Sequence, residues 1–110
     1  MEHPTVIHPE THAEWRNDKM GKVTLFESSQ LLVGLNCFEP GQSHALHVHP
    51  GMDKVYQVIH GGGLFLLDGK ELPMTAGDLL VAPEGVPHGV KNPGPGRLLV
   101  LAILAPGPKA

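Results

Sequence analysis

The sequence predicts an all-β fold, either a sandwich or a closed barrel, and three observations support this. Short apolar runs recur along the 110 residues, Gly and Pro interrupt them, and no stretch repeats apolar residues at helical spacing. The 14 Gly and 11 Pro are scattered rather than clustered, which is typical of many tight turns. A chain of this length forms one domain.

Nine segments are predicted to be strands. In chain order they are 22–26, 31–38, 43–49, 54–59, 64–67, 70–74, 78–82, 88–91 and 97–104. Asp68-Gly69 is a strong signal for a two-residue hairpin. Pro73 lies within the strand 70–74 that follows this turn, and it favours an edge position for that strand. The last run, RLLVLAIL, is nearly continuously apolar, as expected of a strand buried on both faces.

Three regions are expected along the chain: an N-terminal arm over 1–20, a barrel domain over 21–106 and a C-terminal tail over 107–110. The arm is expected to pack across the barrel, with Trp15, the only Trp, as its anchor. Three histidines of the arm, at positions 3, 8 and 12, are expected at the surface, because neither their spacing nor a regular element fixes their geometry.

Composition excludes several classes of partner. The net charge is -3 and no basic run exists, which argues against nucleic acid and against an anionic membrane surface. No apolar run is long enough to span a membrane and no signal peptide is recognisable, so a cytoplasmic location is expected. The single Cys37 cannot form an intramolecular disulfide, and we expect it to pack as a small hydrophobe.

His47 and His49 lie one residue apart in a predicted strand. Because side chains alternate between the two faces of a strand, both imidazoles and Ala45 are expected to point the same way. The opposite face is expected to carry His44, Leu46 and Val48. We expect His44 on the outer surface or at a subunit contact, and a second sheet or subunit over the apolar pair.

Two motifs frame this strand. The first is G-x5-H-x-H, and the second is G-x5-P-x-G-x2-H-x3-N, which runs through Gly77, Pro83, Gly85, His88 and Asn92. In this order the pair resembles the two motifs of the cupin superfamily. The resemblance implies a small antiparallel jelly-roll barrel in which His47, His49 and His88 converge on one divalent metal. The alternative is three core histidines without a metal.

The first motif departs from the cupin pattern at the position where a Glu ligand usually stands. Counting back from Gly61 places Lys54 there, and counting forward from His49 with the shorter gap places Asp53 there. A protonated Lys cannot ligate a metal. Asp53 is a fourth-ligand alternative, but by alternation it faces away from Lys54 unless a bulge turns it. We therefore predict a three-histidine site.

Lys54 and Tyr56 are the candidate catalytic residues, since both are expected on one face of their strand. An inward Lys54 would add positive charge and favour an anionic, chelating substrate. Alternatively, Lys54 forms a salt bridge with Asp53 or another surface acid. Tyr56 is either a catalytic acid or part of the core.

The absence of the Glu is shared with the cupins that cleave β-diketones and oxidise thiols, which use Fe(II). The resemblance therefore implies a dioxygenase-like, metal-dependent oxidoreductase acting on a small anionic substrate. Iron is the expected metal, with Zn, Ni, Mn or Cu as alternatives. A cupin isomerase or lyase using Mn, Ni or Zn, and a non-catalytic binding protein, are the other hypotheses. Cupins of this size commonly dimerise, which predicts a homodimer.

Overall fold

The computed structural model describes residues 5–107, and His3 and the last three residues of the predicted tail lie outside this range. A short 3-10 turn, Pro9–His12, precedes nine strands. These are β1 (Gly21–Glu27), β2 (Leu32–Phe38), β3 (Ser43–His47), β4 (Asp53–His60), β5 (Gly62–Leu67), β6 (Lys70–Thr75), β7 (Leu79–Ala82), β8 (His88–Lys91) and β9 (Leu98–Ala105). Each predicted strand is present, although β3 ends at His47 rather than at His49.

The strands form two antiparallel sheets with the crossed connections of a jelly roll. One sheet has the order β1-β2-β9-β4-β7 and the other the order β3-β8-β5-β6. The predicted all-β barrel is confirmed. β9 lies between β2 and β4, as its apolar sequence predicts, and β6 is an edge strand that accommodates Pro73.

The main core lies between the sheets. Its buried members include Phe38, Tyr56, Phe65, Leu98 and Val100. Among residues 5–107, no helix is long and apolar enough to cross a membrane.

A second apolar cluster covers the outer face of β1, β2 and β9. Leu35, Cys37 and Leu99 are buried there, and Trp15 of the arm packs against them. The Arg97 guanidinium lies 4.6 Å from the Trp15 ring centroid. The predicted role of Trp15 as an anchor is confirmed, as is the burial of Cys37, which raises the pKa of its thiol. The two described arm histidines are exposed, as predicted.

Asn92, the last residue of the second motif, is fully buried and joins the loop after β8 to the end of β2. Its Nδ2 donates to the carbonyl oxygens of Phe38 at 3.0 Å and Gly96 at 2.9 Å. Its Oδ1 accepts from the amide of Gly94 at 3.0 Å. The buried side chain thus satisfies three backbone groups of two segments, and its role is structural.

We expect Asn92→Ala to lower the free energy of unfolding by about 2 to 4 kcal/mol, because it removes three hydrogen bonds to backbone groups. Urea denaturation measures this loss. Asn92→Asp should also be destabilised, since a carboxylate oxygen would then face two carbonyl oxygens. The exposed Asn17→Ala is the matched control, within about 0.5 kcal/mol of wild type. Equal stability of Asn92→Ala and wild type would contradict this assignment.

Candidate metal centre

A β-bulge in β3 faces Gly89 of β8. His44 pairs with Val90 and His47 pairs with His88, so two residues of β3 lie opposite Gly89 alone. A β-carbon on Gly89 would lie 2.5 Å from the carbonyl oxygen of His44. The close approach of the two backbones therefore requires glycine at this position.

The bulge corrects the predicted face of His44. Strict alternation predicted His44 outside and Ala45 inside, and both predictions are wrong. The extra residue in β3 shifts the alternation, so the His44 ring stacks on the His47 ring with centroids 4.1 Å apart, while Ala45 is exposed. Leu46 and Val48 point outward as predicted, each 46% exposed.

The structure brings His47, His49 and His88 together. One ring nitrogen from each lies within 4.8 Å of those of the other two. The centroid of the His47 ring lies 4.8 Å from that of His49 and 4.3 Å from that of His88. His47 ends β3, His49 lies in the loop that follows, and His88 begins β8, so three backbone segments position the cluster.

Hydrogen bonds orient two of the imidazoles. Nδ1 of His47 lies 2.7 Å from the carbonyl oxygen of Ala45, and Nδ1 of His88 lies 2.9 Å from that of Val86. A carbonyl oxygen can only accept, so each Nδ1 carries the proton and each Nε2 keeps a free lone pair. Such a hydrogen bond from the other ring nitrogen to a backbone carbonyl is typical of histidines that bind metals.

The donor set fits a metal ion. Within residues 5–107, Nε2 of His47, His49 and His88 is buried and has no hydrogen-bond partner. Buried polar atoms are rarely left unpaired, and three neighbouring ones indicate a missing common partner. An ion held by three imidazoles satisfies all three lone pairs at once.

Burial also keeps these rings neutral. Burial, with a smaller effect of the nearby Lys54 charge, lowers the pKa of His49 to about 4. The pKa values of His47 and His88 are lowered by burial too, partly offset by their hydrogen bonds to backbone carbonyls. Neutral imidazole is the form that binds a metal.

Lys54 faces the interior and Asp53 does not. Lys54 is only 4% exposed, and its Nζ lies 4.7 Å from the centroid of the Tyr56 ring. Burial, with a smaller effect of the Lys22 charge, lowers the Lys54 pKa to about 8. Across the described range Lys54 has no salt bridge, so the alternative in which it pairs with Asp53 or another surface acid is wrong.

The structure also corrects the alternative in which Asp53 is a fourth metal ligand. β4 pairs regularly with β9 through Asp53 and Lys54, with no bulge to turn the carboxylate inward. Its Oδ1 instead accepts from the amide of Glu84 at 2.9 Å. Glu84 in turn accepts from the amide of Gly51 at 2.7 Å. These bonds join the loop after His49 to the loop before His88, a link that the sequence did not reveal.

Tyr56 forms part of the wall beside the cluster. It is fully buried, its ring centroid lies 5.8 Å from that of His88 and 6.0 Å from that of Phe65, and it belongs to the main core. Burial raises the pKa of its phenol, and the hydroxyl has no partner among the described residues. Tyr56 therefore combines packing with a free hydrogen-bond donor near the site.

Comparison with known proteins identifies the family. The cupin domain model matches residues 34–104. The chain belongs to the cupin family. It is 37% identical over 65 residues to the oxalate-binding protein of Thermotoga maritima, which is 59% of this chain and 54% of that protein. The chain spans about half the length of the curated relatives that it matches.

Two solved structures are similar to nearly the whole chain. An uncharacterised protein of Klebsiella pneumoniae with a double-stranded β-helix domain has a TM-score of 0.90 at 26% identity, covering 98% of this chain and 95% of that one. A protein of Thermus thermophilus has a TM-score of 0.88 at 34% identity, covering 94% of this chain and 98% of that one.

We expect Gly89→Ala to weaken metal binding, because the added β-carbon would displace the bulge that places His47 opposite His88. Zinc affinity, measured by titration against a competing chelator, should fall by about tenfold or more. Gly96→Ala is the matched control, since its β-carbon meets no atom within 4 Å and Gly96 has no positive φ. Unchanged zinc affinity in Gly89→Ala would show that the bulge does not position the histidines.

Proposed function

We propose that His47, His49 and His88 hold one divalent transition metal, and that this ion binds a small chelating carboxylate whose charge Lys54 complements. The observation that carries the proposal is the buried Lys54 ammonium. It has no acidic partner in the described range, and the neutral imidazoles beside it supply no negative charge.

The charges of the site favour an anion. Three neutral ligands leave both charges of a divalent ion uncompensated, and Lys54 adds a third positive charge. A buried ion without a partner costs several kcal/mol, so a partner of opposite sign is needed. A carboxylate that chelates the metal would supply it, in place of the Glu that cupins commonly have.

The metal, when bound, supplies open coordination positions and polarises the oxygens of a chelated anion. The residues of the chain bind and orient this anion. Lys54 orients the anion by charge, the Tyr56 hydroxyl offers one hydrogen bond, and the main core around Tyr56 excludes water.

We propose an Fe(II)-dependent, dioxygenase-like reaction on this anion, supported by the three neutral ligands and the open positions that they leave. A non-catalytic binding protein is the second candidate, and the oxalate-binding relative favours it, since oxalate is itself a small chelating dianion. An isomerase or lyase that uses Mn, Ni or Zn is the remaining alternative.

A homodimer is also part of the proposal, and exposed apolar side chains support it. Leu46 and Val48 project from β3 and the loop that follows, and Val81 is exposed on β7. The cytoplasmic location and the domain boundaries stay predictions.

Elemental analysis of protein purified without an affinity tag or chelator should find about one transition metal per chain, because the three unpaired nitrogens form one site. His88→Ala should lose the metal. His60→Ala is the matched control, since His60 is exposed and lies outside the cluster. A metal-free wild type, even after reconstitution with Fe(II) or Zn²⁺, would contradict the proposed centre.

Oxygen uptake separates the two candidate functions on the iron-loaded protein. Consumption of oxygen with a diketone, thiol or hydroxy-aromatic acid, absent in His88→Ala, supports the dioxygenase. Tight binding of these anions without any oxygen consumption supports the binding protein.

Lys54→Met should weaken oxalate binding to the zinc-loaded protein by about tenfold or more, because a charge-assisted contact in a buried site is lost. The zinc content should be unchanged, since Met replaces no ligand. Calorimetric titration measures the affinity, and the exposed Lys70→Met serves as control for net charge. Equal affinities of Lys54→Met and wild type would remove Lys54 from the anion site.

A further inference from the structure

A cavity of about 220 Å³ opens beside His49 and Lys54. Strands β1, β2, β4 and β9 form its floor, and His44 closes one side. Its polar lining residues are Lys22, Thr24, Asn36, His44, His49 and Lys54. The lining has two lysines and no acidic residue, so the cavity is suited to an anion before any metal is added.

Asn36 is an unexplained polar group in this cavity. It is only 5% exposed, and its Nδ2 has no hydrogen-bond partner in the described range. An unpaired buried amide costs free energy unless a ligand accepts from it. Asn36 pairs across the sheet with Val100 of the main core, so its side chain points into the barrel.

Lys22 stands beside Asn36. The two residues are direct partners in the pairing of β1 with β2, so their side chains share one face of the sheet. Lys22 lines the same cavity as His49 and Lys54, and its charge lowers the pKa values of both. Lys22 is exposed, so it lies at the rim of the cavity while Asn36 lies inside.

The cavity extends well beyond the place of a metal-bound oxalate. Lys54 pairs with Leu104, and Leu104 pairs with Leu32 of β2. Asn36 lies four residues farther along β2, so the cavity that Lys54 and Asn36 both line extends along the strands beyond Leu104. The volume of about 220 Å³ matches roughly seven waters of liquid, and the apolar side chains of Ala102 and Leu104 belong to its lining.

We propose that the cavity binds an elongated dianion, which deepens the proposed function and rests on it. One end is a chelating 2-hydroxy- or 2-oxocarboxylate at the metal beside Lys54. The other end is a second carboxylate that accepts from the Asn36 amide and pairs with Lys22. An aliphatic spacer between the two ends contacts Ala102 and Leu104. Lys22 and Asn36 thus select for the distal charge.

Two ligands that share the same chelating group, and differ only in the distal charge, test whether the cavity selects for that charge. 2-Hydroxyglutarate carries a distal carboxylate that 2-hydroxypentanoate lacks, and calorimetry on the zinc-loaded protein compares them. Wild type should bind 2-hydroxyglutarate about tenfold or more tightly than 2-hydroxypentanoate, as expected of one charge-assisted contact. In Lys22→Met the ratio should fall to near one, while the affinity for 2-hydroxypentanoate changes less than about threefold.

Two further variants sharpen the test. Asn36→Leu should also lower the ratio, and Lys70→Met, on a remote exposed position, should leave it unchanged. A wild-type ratio near one, or a full preference retained in Lys22→Met, would overturn the distal site while leaving the proposed function in place. Failure of the zinc-loaded protein to bind either hydroxy acid or oxalate would instead overturn the proposed function itself.

Discussion

The contact between β3 and Gly89 is the constraint on which the candidate site depends. The missing side chain of Gly89 lets two residues of β3 fit opposite one residue of β8. As a result His44 and His47 face the same side, and His47 lies directly opposite His88. A regular ladder would have put Ala45 inside and left His44 outside, so one absent β-carbon decides which imidazoles enter the barrel.

Local patterns predicted most of the fold and the shared face of His47 and His49, because these depend on spacing within one strand or one turn, whereas the convergence of His88 with them was implied by the cupin resemblance. The nine strands, the edge position of β6 and the convergence of His47, His49 and His88 all agree with the structure. The face of His44 was wrong, since the bulge depends on a partner strand more than forty residues away in the sequence. Similarly, residue counting left Lys54 and Asp53 open, and only the regular pairing of β4 with β9 decides between them.

The packing of the arm explains why the sequence did not predict Lys22 and Asn36 as residues that line the interior. In β1 the apolar residues Val23 and Leu25 suggest the inner face, yet they pack outward against the cluster that includes Trp15. With that outer face covered by the arm, the alternate positions of β1 and β2 are free to carry polar side chains into the barrel. The arm therefore allows a polar cavity inside a sheet whose apolar residues would otherwise have to face inward.

Among the described residues, the charged groups that line the cavity inside the barrel are all positive. The carboxylates of Asp53 and Glu84 join the loops that carry His49 and His88, and no acidic residue among those described lines the cavity. What remains inside is Lys54, Lys22 at the rim, neutral imidazoles and an unpaired amide. If the proposed function is correct, such an interior is most stable when a metal and an anion are both bound, because the metal pairs the imidazole nitrogens and the anion compensates the positive charge. The free energy of folding and the affinity for the ligand would then be coupled through the same few side chains.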